Sequence, residues 1–212
     1  MSSINPFFTF SYAQPEEYRF CHDSVFLARE VFERFPLKPN LKVLYLCSGV
    51  GVVGLDFLHH LNTSGKDLPE VFDFLEVQSV YEEYFFENAK RIGEIKTKIS
   101  FININYANLF KKDFHEKYDL ILCNPPYFRL GLGILSPSEF KNRCRFFIDS
   151  DFKTLFESID FSLKKDGMAF VLLRDLKDNG IDTLNEAREI LKDKRTVKVI
   201  SEIRGTPLVL IQ

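Results

Sequence analysis

The sequence predicts an α/β fold: a mostly parallel seven-stranded sheet with helices on both faces and an antiparallel strand at its C-terminal end. Three observations carry this reading. Seven short apolar runs alternate with segments of helical period, the pattern of strands covered on both faces and joined by crossover helices. The first run passes directly into the glycine-rich turn Cys47-Ser48-Gly49-Val50-Gly51-Val52-Val53-Gly54. Only Arg204-Gly205-Thr206 separates the last two runs, too little for a crossover, so they pair as an antiparallel hairpin at one end of the sheet.

Taken in order, the apolar runs place strands at 42–47, 71–76, 99–103, 118–123, 167–173, 197–203 and 207–211. Helical periodicity fills most of the gaps, at 24–34, 52–61, 80–92, 152–163 and 181–192, several opened by Ser, Asp or Asn as capping residues. The stretch 128–149, with Gly131, Gly133, Pro137 and several charges, reads as a mobile loop. The 212 residues, 45% hydrophobic and 27% charged, fit one large core, so 1–212 is expected to be one domain, an entry or cap segment at 1–40 preceding a core at 41–212.

Composition excludes several functions. A formal net charge of −2 means that any polyanion meets a local basic patch and not a basic surface. Cys21, Cys47, Cys123 and Cys144 lack CxxC spacing and a histidine pair at ligand distance, so neither a metal site nor a disulfide framework is expected. No apolar run approaches the length of about 18 residues that a membrane span needs, and no basic-then-apolar leader is seen. A reduced cytoplasmic setting, with no membrane partner and a monomer by default, is the expectation.

Glycines in the first strand-to-helix turn let the chain bend tightly and let a ligand approach the free N–H groups of the following helix. Glu76, about 20 residues further on at the end of the second strand, can accept both hydroxyls of a ribose. Gly49-x-Gly51-x-x-Gly54 with this acid fits a dinucleotide as well as another nucleoside cofactor, so the loop alone does not separate a hydride carrier from a methyl carrier.

Asn124-Pro125-Pro126-Tyr127, directly after the apolar fourth strand, separates them. Two prolines lack N–H groups and fix φ, so they end a buried strand abruptly and leave carbonyls as rigid acceptors. An amide before this corner and an aromatic ring after it form a slot that can hydrogen-bond an NH2 group and stack on its plane. Such a nitrogen is a poor nucleophile while its lone pair is delocalised. Hydrogen bonds to the Asn124 side-chain oxygen and the Pro125 carbonyl favour a pyramidal nitrogen aimed at a methyl donor, and hydride transfer has no evident use for them.

At these residues the chain resembles the Rossmann-like class I methyltransferases that use S-adenosyl-L-methionine and modify amino groups. The segment from Gln14 through Tyr18 and Asp23-Ser24 to Ala28 and the run Asn124-Pro125-Pro126-Tyr127-Phe128 are similar to those of bacterial tRNA N6-adenine methyltransferases. The resemblance implies an S-adenosylmethionine cofactor and a tRNA substrate. It implies that Gly49, Gly51, Cys47 and Val77 line the cofactor, Glu76 holds its ribose and Asn105 the adenine edge. Asn124, Pro125 and Tyr127 would then meet the reacting amine, with Pro126 and Phe128 beside them. Three positions depart from the family: Tyr45 stands where an acid usually meets the methionine end, Asn105 where aspartate is common, and Cys47 where glycine is usual.

Other residues have two readings. Asp23 either touches the methionine moiety or caps the first helix. Gln14 and Tyr18 are read as surface loop residues, with the substrate mouth as the other choice. Arg129, Lys141, Arg143 and Arg145 either hold phosphates of a folded RNA or are ordinary loop charges. His59-His60 reads as surface or packing, and Lys192, Lys194, Arg195 and Lys198 as a solvated helix end. Adenine N6 in tRNA is the expected target. A glutamine amide of a release factor is the alternative, since the enzymes that modify it share the tetrapeptide, and Tyr45 raises a non-catalytic partner protein of the same fold as a third possibility.

Overall fold

A computed structural model describes residues 11–212, so the first ten residues of the expected entry segment lie outside the described residues. The elements follow in the order α1 (His22–Arg34), β1 (Lys42–Leu46), α2 (Val52–Thr63), β2 (Val71–Leu75), α3 (Tyr81–Arg91), β3 (Lys98–Ile102), β4 (Tyr118–Cys123), α4 (Glu139–Arg145), α5 (Phe152–Ser162), β5 (Leu163–Leu172), α6 (Thr183–Ile190), β6 (Val197–Ile203) and β7 (Thr206–Ile211). Seven strands form one sheet in the order β3-β2-β1-β4-β5-β7-β6. The first five positions are mutually parallel, and β7 runs antiparallel to both β5 and β6. The hairpin turn reaches this pairing through Arg204 and Gly205, both at positive φ, the conformation that suits a two-residue turn to strand twist.

Strand alternation explains the two layers. Val43 and Tyr45 of β1, Phe72 and Phe74 of β2 and Leu120 and Leu122 of β4 pack with Val25, Ala28 and Val31 of α1, Leu55 and Leu58 of α2 and Phe85 of α3. Leu44, Leu46, Leu75, Ile121 and Cys123 point the other way, onto Leu155, Phe156 and Ile159 of α5 and Ala187 of α6. Four of the caps are side-chain caps: Ser138, Asp151 and Asp182 accept N–H bonds at the starts of α4, α5 and α6, and Asn105 caps a short 3-10 helix at Tyr106–Leu109.

Four expectations are corrected. The helix α1 begins at His22 behind an extended Cys21, so Asp23 is not the cap; it sits in the first turn, where its charge suits the helix dipole, 3.5 Å from Arg204. The segment 128–149 contains α4, whose seven residues are too few to show a helical period. The strand β5 starts at Leu163, at once after α5, because a register shift opposite Tyr118 and Leu120 absorbs the polar residues there. Arg195 is no solvated helix end: its guanidinium donates to the carbonyls of Leu163, Lys164 and Lys165 and pairs with Asp160 at 2.9 Å. His60 packs as expected, its ring 5.4 Å from Phe32 and its Nε2 3.4 Å from Asp56.

Candidate active site

The strand order reverses between β1 and β4, where the connections leave to opposite sides and open a crevice at the C-terminal strand ends. A cavity of about 220 Å3 occupies this crevice. Its floor is the turn after β1. Cys47 takes φ 54° and Gly49 φ 51°, and the Ser48 N–H bonds the Leu75 carbonyl at 3.0 Å, which fixes the turn on the end of β2. Cys47 adopts the left-handed conformation at a position where glycine would be relaxed.

Glu76, one residue past β2, is only 5% exposed. Its Oε2 accepts the Gly49 N–H and its Oε1 the Gln78 N–H, each at 2.9 Å. Burial raises its pKa, and the backbone N–H groups of Gln78, Gly49 and Val77 oppose that shift. A carboxylate has about four acceptor positions, so those left over suit the paired hydroxyls of a ribose. Ser48 also lines the cavity, 2% exposed, and its hydroxyl has no hydrogen-bond partner among the described residues. An orphaned buried hydroxyl beside a carboxylate held by amides fits a polar nucleoside ligand.

The rest of the floor is uncharged. Tyr45 is buried edge-on against Phe74, 6.1 Å between centroids, and desolvation keeps its phenol protonated. The hydrogen bond with Cys123 and burial hold the Cys47 thiol well above the usual thiol range. Asn105 lines the wall with its amide partly used: Oδ1 accepts the Ala107 N–H at 2.8 Å, and Nδ2 donates to the Asp149 carbonyl at 2.7 Å. One lone pair and one N–H remain for a base edge.

Asn124-Pro125-Pro126-Tyr127 closes the opposite wall. The Asn124 amide is oriented from both ends, Nδ2 donating to Ser24 Oγ at 3.2 Å and Oδ1 accepting the Tyr127 hydroxyl at 2.8 Å. Desolvation raises the Tyr127 pKa, so the hydroxyl is a stable donor. The chain beyond the corner is pinned: the Arg145 carbonyl accepts the Tyr127 and Phe128 N–H groups at 3.0 and 2.9 Å, and the Phe147 N–H bonds the Phe128 carbonyl at 2.8 Å.

The cavity therefore gathers Tyr45, Cys47, Gly49, Glu76, Val77 and Asn105 on one side, and Asn124, Pro125, Pro126, Tyr127 and Phe128 with Arg143 and Arg145 on the other. Four expected residues fall outside it. Gly51 caps α2, and a Cβ there would meet Phe85 at 2.8 Å, so packing explains this glycine. Asp23 is turned to Arg204, Lys141 lies on α4 away from the lining, and Arg129 pairs with Glu186 and stands 5.2 Å from the Phe152 ring. Gln14 and Tyr18, read as surface residues, line the mouth instead. Asn88 of α3 holds them there: its Nδ2 donates to the carbonyls of Ala13 and Val50, and its Oδ1 accepts the Ala13 N–H at 2.7 Å. Gln78 and Tyr81 were not singled out by the sequence, and Ser48 and Cys144 were named there without a site role. Gln78, just before α3, and Tyr81 of α3 meet Cys144 of α4 at 3.4 and 3.1 Å, contacts that only the fold reveals.

No family model matches the chain. A protein of Flavobacterium psychrophilum named tRNA1(Val) (adenine(37)-N6)-methyltransferase is 29% identical over 98 residues, which is 46% of this chain and 39% of that protein's length. Among solved structures, the ribosomal protein L11 methylase of Lactobacillus delbrueckii subsp. bulgaricus superposes with a TM-score of 0.60 at 18% identity, over 91% of this chain and 79% of that one. An Aquifex aeolicus SAM-dependent methyltransferase gives 0.58 at 15% identity over 90% of both chains. TrmN of Thermus thermophilus gives 0.58 at 17% identity, over 89% of this chain and 48% of that one. The fold is thus the Rossmann-like fold found in methyltransferases that use S-adenosylmethionine.

Proposed function

We propose that this protein is an S-adenosylmethionine-dependent N-methyltransferase acting on the exocyclic N6 of an adenine in tRNA. The observation that carries the reading is the shared cavity: Glu76 and Ser48, whose buried hydroxyl has no partner among the described residues, line the same space as the Asn124-Pro125-Pro126-Tyr127 corner. The distant likeness to a tRNA adenine-N6 methyltransferase supports the choice of substrate.

Glu76 and Ser48 would hold the ribose side of the cofactor, Asn105 its base edge, and Cys47 and Gly49 its approach to the turn. When bound, S-adenosylmethionine supplies a methyl group made electrophilic by its sulfonium. Asn124 Oδ1 keeps a lone pair beside its bond to Tyr127, and with the Pro125 carbonyl it accepts the two hydrogens of the substrate NH2. These bonds favour a pyramidal nitrogen and fix the direction of its lone pair. The Tyr127 ring sets the tilt of the base, a stacking contact worth about 1–3 kcal/mol. Asn124, Pro125 and Tyr127 would hold the amine with its lone pair toward that methyl group, and the methylated nitrogen would release its extra proton to water. No strong base is needed. Positioning is the main contribution, a term that reaches about 7–11 kcal/mol in well-aligned reactions.

The test is methyl transfer from labelled cofactor to total tRNA, and separately to release factors, from cells lacking the gene. N6-methyladenosine in digested tRNA is the expected product. Label in the release factors alone would replace this reading with glutamine methylation. Failure of the protein to bind either S-adenosylmethionine or its demethylated product would leave the non-catalytic partner.

A further inference from the structure

Of the basic side chains around the slot, most have a carboxylate partner: Arg129 pairs with Glu186, Arg143 grips Asp149 with two nitrogens, and Arg204 meets Asp23. Arg145 and Arg174 have no carboxylate partner among the described residues. Both guanidiniums stand over the ring of Phe128, 5.7 and 5.6 Å from its centroid, and Arg174 also lies 5.9 Å from the Tyr127 ring. Two like charges converge on one aromatic residue directly after the slot.

We propose that Arg145, Arg174 and Phe128 form a phosphate site for the nucleic-acid backbone next to the target base. This rests on the reading of the cavity as one that takes a nucleotide in a polynucleotide. A guanidinium lying on a ring keeps its N–H edge directed outward, and that edge matches phosphate oxygens two at a time. The backbones beneath are fixed. The Arg145 carbonyl carries the two N–H bonds that tie it to Tyr127 and Phe128, and the Arg174 carbonyl accepts the Thr183 hydroxyl at 2.9 Å. Arg174 lies just past the end of β5, the strand beside the one that carries the slot. A peptide amide would leave both charges unused, whereas a nucleotide entering the slot brings phosphates on either side of its base.

The experiment compares the full-length protein with Arg145→Ala, Arg174→Ala, the double variant and Arg174→Lys. It reads tRNA affinity over a range of potassium chloride, the KM for tRNA against kcat, and binding of S-adenosylhomocysteine. Each alanine variant is expected to reduce the slope of log affinity against log salt by about 0.7. KM should rise several-fold while kcat at saturating tRNA changes less. Affinity for S-adenosylhomocysteine, which reports that the cavity is folded, should stay within about twofold. Arg174→Lys should keep the salt slope but bind more weakly, because an ammonium neither stacks nor forks. Unchanged salt slope and KM in the double variant, with tRNA methylation by the parent protein intact, would overturn the site. Absence of tRNA binding and methylation in the parent protein would instead overturn the substrate reading, and the site with it.

Discussion

Asn124 is held so completely that its two roles can be separated. Its Nδ2 is committed to Ser24 and its Oδ1 uses one lone pair for Tyr127, and in the proposed function the remaining lone pair serves the substrate amine. Asn124→Ala is therefore expected to lower methyl transfer by about 10²–10³, the usual effect of losing one preorganised hydrogen-bonding group. Cofactor affinity by calorimetry should hardly change, and equal loss of both would mean that the slot faces the wrong ligand. Tyr127→Phe keeps the ring but frees the amide, and a loss of about tenfold matches one hydrogen bond. Glu76 gives a pH signature. Its pKa is raised in the fold, so the group by itself favours the folded state when protonated, and that contribution is lost as pH rises through the folded pKa. If Glu76 holds a ribose as proposed, that binding needs the ionised form and is lost as pH falls through the same value. Cofactor affinity should thus fall as pH is lowered, with a midpoint above the ordinary glutamate value of about 4.3, and Glu76→Gln should remove that acid limb. Both residues were legible in the sequence because each combines a chemically committed side chain with a strand end. Arg174 was not, since nothing in a lone arginine after an apolar run marks it; only the neighbouring strand's motif gives its position a meaning.

The glycine loop shows why an element can be read correctly while its residues are misassigned. Gly49 and Gly51 looked equivalent, yet Gly49 has open space around it while Gly51 and Gly54 are pressed on aromatic rings. Gly54 lets α2 lie against β2, and a Cβ there would run into Phe74 and come 2.9 Å from Phe72. Those rings are themselves stacked at 4.5 Å and cannot easily withdraw. Gly54→Ala should destabilise the fold by about 1–3 kcal/mol through overpacking. Thermal unfolding should show a midpoint lower by about 2–4 °C for each kcal/mol in a chain of this size. An unchanged midpoint would mean that α2 can shift away from the sheet. The periodicity of a twelve-residue helix and the alternation of a strand are visible in one dimension, so α2 and β2 were legible. The seven residues of α4 were not. That helix is specified by the Ser138 cap and by Asn142, whose side chain bonds the Ser136 N–H and carbonyl at 2.8 Å, contacts that carry no period.

Across the whole molecule, the cavity gathers distant parts of the chain, among them the segment around Gln14 and Tyr18, the turn after β1, and the corner after β4. A cofactor bound among them stabilises all three at once, and it acts only on the folded state. At a ligand concentration of 100 times Kd this amounts to about 2.7 kcal/mol, or roughly 5–11 °C in the unfolding midpoint. Tyr45 sets how much of that is available. It fills the floor of the cavity with a neutral ring packed on Phe74, where the resemblance leads one to expect an acid facing the cofactor's methionine end. The ring adds buried apolar contact to the unliganded fold, and a carboxylate would add a charge partner to the liganded one. These contributions separate in a single variant. Tyr45→Asp should lower the midpoint without ligand, because it leaves a cavity and an unpaired buried carboxylate. At a fixed concentration of S-adenosylmethionine it should enlarge the ligand-induced shift, because the ammonium group of the ligand then neutralises that charge. A fall in both the unliganded midpoint and the shift would mean that the methionine end does not lie over Tyr45.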